Sequence, residues 1–255
     1  MYLGLDIGTS VVKAVLVDDS QTVIDKATAT LSVSRPKPLW SEQDPQDWWR
    51  ATNQAVLKLD RRCRSSVKAI GLSGQMHGAI CLDFNDQVIR PAILWNDGRS
   101  FSNCQAMMAQ MPRLKNITGN LAMPGFTAPK LHWMRENELE NFRRVAKVLL
   151  PKDYVRFLMS GDYASDKSDS SGTLWLDVAK RDWSDEILEL TGLSRSHMPN
   201  LFEGSDATGV LTSKVANNWG MSQVPIAAGG GDNAAGAVGV GVINSGDGFL
   251  SLGTS

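Results

Sequence analysis

The first thirty residues limit the fold most strongly, because they contain three strand-like apolar runs separated by two tight turns. The runs are YLGLDI, VVKAVLVD and TVIDKATATLSV, and the turns are Gly-Thr-Ser at residues 8–10 and the polar segment DSQ. Short apolar runs bounded by turn residues are typical of β-strands. The sequence therefore predicts an antiparallel meander of three strands between Tyr2 and about Ala29.

The rest of the chain alternates between helical and strand-like patterns. Asp44 before Pro45 is a typical helix start, since Asp caps helices well and proline fits the first helical position. Strands are predicted in VKAIGLSG, GAICLDF, VIRPAILW and VPIAAG, and a small-residue helix in GGDNAAGAVGVGV. Further helices are predicted near 99–110, 128–145, 152–160, 184–191 and 212–219. This pattern predicts one globular unit of the mixed α/β class.

Charge and composition exclude several classes of partner. The net charge of −1 offers no electrostatic reason to expect nucleic acid or an anionic membrane surface. Apolar runs stay well short of the roughly 20 residues that a membrane span needs, and a leader sequence is lacking. Three cysteines without metal-ligand spacing indicate ordinary thiols in a reducing compartment. We therefore expect a cytoplasmic protein.

A strand that runs into Gly-Thr-Ser occurs twice, as LGLDIGTS at residues 3–10 and as LSLGTS at residues 250–255. In the first copy, the turn and Lys13 would surround a small anion, with Gly8 permitting positive φ and a close backbone approach. Asp6 faces the same space and suggests a bridging Mg²⁺. A plain hairpin turn is the alternative for one copy. Two copies favour a phosphate-binding cleft built from two duplicated domains.

Other phosphate-binding motifs fit less well. The P-loop pattern is missing from the sequence. The run GGGDNA formally matches a dinucleotide fingerprint, but Asp232 would then repel the pyrophosphate at the helix N-terminus. As a helix-terminal carboxylate, Asp232 is expected to stay ionised with lowered basicity, and to orient a hydroxyl and accept its proton late in phosphoryl transfer. An ordinary helix cap is the alternative.

Six segments together resemble the FGGY family of carbohydrate kinases, over the whole chain. They are GLDIGTSVVKAVLVD, GQMHGAI, ILWNDGR, GFTAPKLHWMREN, GGGDNAAGAVGVG and LSLGTS. The resemblance implies two actin-like, ribonuclease-H-like domains with ATP and sugar bound between them. Residues 1–245 would form the sugar-binding N-terminal domain, and residues 246–255 would begin the second domain, so the chain alone is expected to be inactive.

Residue roles follow from the resemblance at matching positions. Asp232 matches the proton acceptor for the sugar hydroxyl, and Asp6 matches an acid near Mg²⁺ and the γ-phosphate. The implied sugar contacts are Met76, His77, Asn233, Trp95, Asp97 and Arg99, although a simple turn is the alternative for the last three. The implied ATP contacts are Gly8, Thr9, Ser10, Lys13, Gly253, Thr254 and Ser255.

The resemblance implies ATP- and Mg²⁺-dependent phosphorylation of D-xylulose to D-xylulose 5-phosphate. One alternative is a kinase for another sugar or polyol, such as ribulose, rhamnulose, gluconate or glycerol. Another is a non-catalytic actin-like module that binds sugar or nucleotide. Sugar and ATP are the expected partners, and the sequence leaves open whether the protein forms a homodimer.

Overall fold

The computed structural model describes residues 1–250 of the 255-residue chain. It is a mixed α/β structure, as predicted. The strands are β1 (Tyr2–Ile7), β2 (Val11–Val17), β3 (Val23–Thr30), β4 (Glu42–Gln43), β5 (Ala69–Gly74), β6 (Ile80–Leu82), β7 (Ala92–Ile93), β8 (Lys147–Leu149), β9 (Ala164–Asp166), β10 (Leu176–Asp177), β11 (Asp182–Trp183), β12 (Asn200–Phe202), β13 (Ala207–Val210), β14 (Pro225–Ala227) and β15 (Gly230–Gly231).

Helices connect most of these strands, and a 3₁₀ turn covers Arg195–His197. The helices are α1 (Pro45–Lys58), α2 (Arg61–Arg64), α3 (Phe101–Gln110), α4 (Leu114–Thr118), α5 (Thr127–Asn137), α6 (Leu139–Phe142), α7 (Pro151–Ser160), α8 (Lys167–Ser171), α9 (Asp185–Leu190), α10 (Ser213–Trp219) and α11 (Asp232–Gly239).

Within residues 1–250 the central sheet has seven strands, six of them in the order β13-β14-β5-β1-β2-β3, and β15 also pairs with β5. The first three strands form the predicted antiparallel meander. Strand β5 is parallel to β1 on one side and to β14 and β15 on the other. The carboxyl ends of β1, β5 and β15 therefore meet at one edge of the sheet.

Successive side chains of β1 point alternately to a buried face of the sheet and to a more open face. Leu3, Leu5 and Ile7 are at most 2% exposed, whereas Gly4 and Asp6 on the other face are partly exposed. The buried face packs against residues of α1, α7 and α10, including Trp48, which is fully buried. This face is the larger hydrophobic core, and its burial supplies the main favourable term for folding.

A second hydrophobic core lies among α3, α5 and the buried indole of Trp175. Strand β6 connects the two cores, because its alternate side chains enter opposite clusters. Ile80 and Leu82 belong to the first core, and Cys81 belongs to the second. Two-sided burial explains why this short strand is apolar at every position.

The helix start at Asp44 is confirmed, since its carboxylate accepts a hydrogen bond from the Gln46 amide at 3.0 Å. The single helix predicted over 128–145 is wrong. The chain leaves helical geometry at Glu138, whose carboxylate pairs instead with Arg90 at 2.9 Å, and the helix resumes only briefly as α6. Among residues 1–250, no helix is both long and apolar enough to cross a membrane.

Gly229 provides a stability test of the parallel pairing around β5. Its φ is +84°, and a Cβ atom there would lie 2.0 Å from the carbonyl oxygen of Leu72 in β5. We expect Gly229→Ala to lower the free energy of unfolding by about 2 kcal/mol or more, because strain and overlap add. Chemical denaturation of the purified chain measures the loss.

Gly71→Ala is the matched control, since a Cβ atom on this β5 residue meets no atom within 4 Å. It should change the unfolding free energy by no more than about 0.5 kcal/mol. Equal losses in the two variants would contradict the proposed cause.

Candidate active site

Three segments with candidate site residues meet at the carboxyl edge of the central sheet. In the parallel register, Ile7 lies beside Gly74, and Gly74 lies beside Gly231. The chain continues from these three residues into the turn at residues 8–10, the loop at residues 75–77 and helix α11. Ligands of open α/β sheets bind at such an edge. The sheet therefore brings together the first Gly-Thr-Ser turn, the QMHG loop and Asp232.

Asp6 and Lys13 form a cross-strand ion pair on the open face of the sheet. They are register partners in β1 and β2, and Lys13 Nζ lies 3.1 Å from Asp6 Oδ2. The Lys13 side chain is 55% exposed. Exposed pairs of this kind contribute little to stability, so the ammonium can exchange its partner for an incoming anion at small cost.

Asp232 is the first residue of α11, and Gly231 takes the capping position. The Asp232 carboxylate accepts a hydrogen bond from the Asn233 amide at 2.8 Å. The expectation of lowered basicity is wrong: the pKa of Asp232 is raised. The residue is exposed, but neighbouring atoms remove part of the water around its carboxyl group, and this partial desolvation is the main cause; the Asn233 hydrogen bond opposes it, and the nearby charge of Asp6 adds to it.

Thr9 connects the first Gly-Thr-Ser turn to Gln75 in the loop at residues 75–77 and to Trp95 in the WNDGR segment. Its hydroxyl donates to Gln75 Oε1 at 3.0 Å and accepts from the indole Nε1 of Trp95 at 3.0 Å. Gln75 is buried, and its amide donates to Gly8 O and to Gln43 Oε1. Gln75 thereby becomes a residue that holds the turn, a role that the sequence analysis missed.

Gly8 does not need the positive φ that the sequence analysis suggested. It is not among the glycines in the left-handed region. Instead, a Cβ atom on Gly8 would lie 2.7 Å from the carbonyl oxygen of Val11, which accepts the Gly8 N–H across the turn at 3.2 Å. Glycine is required here because the turn is tight.

His77 is held on both its ring and its backbone. The residue has a φ of +67°, and Nδ1 lies 2.6 Å from the carbonyl oxygen of Gly172. The His77 carbonyl oxygen accepts from Lys130 Nζ at 2.8 Å and from Thr127 Oγ1 at 3.2 Å. Burial and, secondly, the Lys130 charge lower the pKa of His77 to about 4, so the imidazole is neutral at pH 7.

Met76 and Asn233 flank this arrangement. The Met76 side chain lies close to two glycines, since a Cβ atom on Gly231 would be 3.0 Å from Met76 Sδ and one on Gly172 would be 2.9 Å from its Cε. Asn233 is exposed beside Asp232 on the first turn of α11. Both residues therefore lie close to parts of the site that the resemblance assigned to the sugar.

The WNDGR segment divides into two parts. Trp95 is partly exposed and reaches Thr9. The charged groups of Asp97 and Arg99 are 1% exposed and pair with each other at 2.7 Å, and Arg99 also pairs with Glu42 at 2.7 Å. In this arrangement a sugar cannot reach either charge, and the two residues brace the loop.

Aromatic packing completes the burial of Arg99. Its guanidinium lies over the Trp40 ring at 3.6 Å and over the Trp133 ring at 5.1 Å. A cation stacked on indole faces gains attraction without exposure to water. The segment is therefore a structural support whose partly exposed end is Trp95.

A cavity of about 1100 Å³ opens over the half-exposed face of the sheet. Its lining includes Asp6, Lys13, Gly71 and Gly230, together with small residues of α11. Residues 1–250 contain no group of three metal-binding side chains. Gly253, Thr254 and Ser255 of the second Gly-Thr-Ser turn lie outside the described residues.

Comparison with known proteins identifies the family. The sequence profile of the N-terminal domain of the FGGY family of carbohydrate kinases matches residues 1–239. The chain belongs to the FGGY family of carbohydrate kinases. It is 57% identical over 256 residues to a xylulose kinase of Escherichia coli (strain K12) and 56% identical to one of Klebsiella pneumoniae.

The solved structures agree with this assignment to the FGGY family. The crystal structure of a xyloylose kinase from Brucella ovis superposes with a TM-score of 0.92 at 51% identity, covering 93% of this chain and 50% of that one. The predicted actin-like fold is thereby confirmed. The two sequence relatives are each covered over 53% of their length, so the chain spans about half of the relatives it matches.

The neutral state of His77 gives this FGGY chain a testable pH dependence. Its pKa is about 4 in the folded chain, against about 6.5 in an unfolded one, so the unfolded chain takes up a proton first as the pH falls. Stability present above pH 6.5 is therefore lost progressively down to about pH 4, by up to about 3 kcal/mol. Denaturation at pH 7 and pH 4.5 measures this loss.

His77→Asn should make the loss smaller, because asparagine tolerates positive φ but does not titrate. His197→Asn is the control, since among residues 1–250 that imidazole hydrogen-bonds only to Ser194. An equal acid sensitivity in His77→Asn and the unaltered chain would show that His77 is not responsible.

Proposed function

We propose that the protein phosphorylates D-xylulose with ATP, giving D-xylulose 5-phosphate and ADP. The observation that carries this proposal is the position of Asp232, a carboxylate of raised pKa at the edge where the Gly-Thr-Ser turn and His77 meet. The names and high identity of the bacterial relatives support the choice of sugar. We further propose that residues 1–245 form the sugar-binding domain and that residues 246–255 begin the next domain.

Asp232 is suited to act as the proton acceptor. The 5-hydroxyl oxygen of the sugar forms a bond to the γ-phosphorus as the bond to the β-phosphate oxygen breaks, and the hydroxyl proton passes to the Asp232 carboxylate. A raised pKa increases the affinity of this carboxylate for the proton. The hydrogen bond from the Asn233 amide keeps the carboxylate oriented while it does so.

The first Gly-Thr-Ser turn and Lys13 would bind phosphate oxygens. The Lys13 ammonium is exposed and held near the turn by Asp6, so it can interact with a phosphate without burial of its own charge. Trp95 and Gln75 fix the Thr9 hydroxyl, which keeps the turn in one conformation before ATP arrives. The same role for Gly253, Thr254 and Ser255 stays a prediction.

Asp6 fits the expected Mg²⁺ site. Magnesium in phosphoryl-transfer enzymes keeps several waters and is held by one or two carboxylates together with substrate phosphates. One partly exposed carboxylate beside the phosphate turn meets this requirement, and a cluster of protein ligands is not needed. When bound, Mg²⁺ would neutralise part of the phosphate charge.

The sugar would lie against the side of the site that carries Met76, His77 and Asn233. Trp95 can line the same space with its partly exposed indole. Direct sugar contacts from Asp97 and Arg99, which the resemblance implied, are not part of this proposal, because their charged groups are buried against each other and Glu42. They hold Trp95 in place instead.

Replacing Asp232 by asparagine tests the proton acceptor. In a form of the protein as long as its curated relatives, Asp232→Asn should lower kcat for D-xylulose by about 10²- to 10⁴-fold. The Kd for D-xylulose should stay within a few-fold, because the amide has the same shape. ADP release and calorimetry measure the two quantities.

Asp19→Asn is the matched control, since this exposed carboxylate pairs with Lys68 on the surface. It should leave kcat unchanged. Near-normal turnover in Asp232→Asn would exclude Asp232 as the base. Faster turnover of ribulose, rhamnulose, gluconate or glycerol than of D-xylulose by the unaltered protein would keep the family but change the substrate.

The 255-residue chain alone should bind D-xylulose weakly and release no ADP from ATP. The described residues offer the sugar side of the site, Asp6, Asp232 and one phosphate turn, and the resemblance assigns the remaining ATP contacts to a second domain. An ADP assay of the purified chain with D-xylulose measures this. Turnover at the rate of a complete kinase would place the nucleotide site wholly within residues 1–255.

A further inference from the structure

A buried ionic cluster lies under the QMHG loop. Lys152 Nζ is 2.6 Å from Asp153 Oδ1, 2.7 Å from Asp166 Oδ1 and 3.3 Å from Asp169 Oδ2. None of these four side chains is more than 1% exposed. Removing the ammonium would leave buried carboxylates without compensation, which is strongly destabilising. The ion pairs therefore hold the chain segments that carry these four residues at fixed positions.

The cluster anchors the short helix α8 to α7. Lys152 and Asp153 lie in the first turn of α7, whereas Asp166 caps α8 and Asp169 lies within it. Asp166 both pairs with Lys152 and caps α8. Its Oδ1 lies near the Lys152 ammonium, and its Oδ2 accepts hydrogen bonds from the Ser168 and Asp169 amides at 2.8 and 3.0 Å. Helix α8 cannot shift without breaking ion pairs in a region that excludes water.

Gly172 is the C-cap residue of helix α8, and this glycine contacts His77 of the candidate sugar site. The Gly172 amide donates to Asp169 O at 3.0 Å, and its carbonyl oxygen receives His77 Nδ1 at 2.6 Å. Its φ of −77° suits any residue. A Cβ atom, however, would lie 2.6 Å from His77 Cε1 and 2.8 Å from Nδ1. Glycine is required at this position by the imidazole and not by the backbone.

The contact with Gly172 determines the tautomer of His77. A carbonyl oxygen can only accept a hydrogen bond, so Nδ1 must carry the proton. In a neutral ring, Nε2 then has a free lone pair and can only accept. Within residues 1–250, Nε2 has no hydrogen-bond partner and is not among the buried polar atoms that lack one. It therefore keeps some contact with solvent.

Phe126 and Lys130 restrict the ring further. The Phe126 ring meets the His77 imidazole edge-on, with centroids 4.8 Å apart. Lys130 holds the His77 carbonyl oxygen, and the same ammonium binds Gly125 O at 2.7 Å. With its ring edge, its Nδ1 and its backbone all held, the imidazole has one orientation before a ligand binds.

We propose that Gly172, at the end of the anchored helix α8, is a positioning residue that holds His77 as the Nδ1–H tautomer, so that Nε2 accepts a hydrogen bond from one hydroxyl of the sugar. The proposal rests on the proposed function for the identity of that sugar. If Nε2 can only accept, the affinity for a ligand depends on a ligand hydroxyl that donates a hydrogen bond to it. A sugar without that hydroxyl leaves the Nε2 acceptor unpaired and binds more weakly.

The tautomer is measured on the unaltered 255-residue chain by ¹⁵N NMR of the His77 ring, without any ligand. We expect a protonated Nδ1 and an unprotonated Nε2 at pH 7. Addition of D-xylulose should shift the Nε2 resonance more than the Nδ1 resonance. A protonated Nε2 in the free chain would overturn the proposal, whatever the chain binds.

Gly172→Ala tests the positioning role. The added methyl group should displace the imidazole, populate both tautomers and raise the Kd for D-xylulose about tenfold or more. In the longer form of the protein, KM should rise similarly while kcat falls much less than in Asp232→Asn. Asp19→Asn changes an exposed carboxylate that pairs with Lys68 on the surface, and it should leave the His77 resonances and Kd unchanged.

Deoxy sugars identify the hydrogen bond itself. One monodeoxy analogue of D-xylulose should bind the unaltered chain about tenfold more weakly than D-xylulose does. For the Gly172→Ala variant, the Kd of that analogue and the Kd of D-xylulose should be the same, because the hydrogen bond is already lost. If every analogue that binds the unaltered chain more weakly than D-xylulose also binds Gly172→Ala more weakly by the same factor, Gly172 does not have the positioning role. If D-xylulose leaves the spectrum unchanged while the tautomer is as stated, the proposed substrate fails and the tautomer assignment stands.

Discussion

The parallel pairing of β5 with strands on both of its sides is the constraint on which the site depends. Parallel neighbours place their carboxyl ends at the same edge, and here that edge receives three chain segments from distant parts of the sequence. Gly229 permits the closest approach, since its backbone passes over Leu72 where even a methyl group has no room. The distance between the turn at residues 8–10 and α11 follows from this packing.

The same packing creates the electrostatic character of the site. It brings the Asp232 carboxylate near that of Asp6, and it removes part of the water that would otherwise solvate it. The helix N-terminus and the Asn233 amide oppose these effects without cancelling them. A base for phosphoryl transfer benefits from this balance, because an acid held too firmly in its ionised form has little affinity for the proton that it must accept.

Local patterns in the sequence predicted the meander, the helix start at Asp44 and the helix that follows Gly231. They could not predict that Glu138 would leave α5 to pair with Arg90, because that contact joins residues far apart in the chain. For the same reason Asp97 and Arg99 were predicted to contact sugar, and Gln75 and Gly172 were missed. Residue type indicates which chemistry is available, whereas only packing shows which groups are already paired.

The buried pairs explain how a loop-rich site can be rigid before its ligands arrive. Gln75 has its oxygen and its nitrogen engaged with other loops, and Arg99 is enclosed by carboxylates and indole rings. A buried polar group such as Gln75, whose partners are all in place, resists displacement, since any movement leaves an unpaired group away from water. The turn at residues 8–10 therefore cannot shift independently of the loop that carries His77. Ordering these loops in the free protein reduces the entropy that binding must remove, and in the proposed reaction this would leave more of the contact energy for alignment of the sugar hydroxyl with the phosphate.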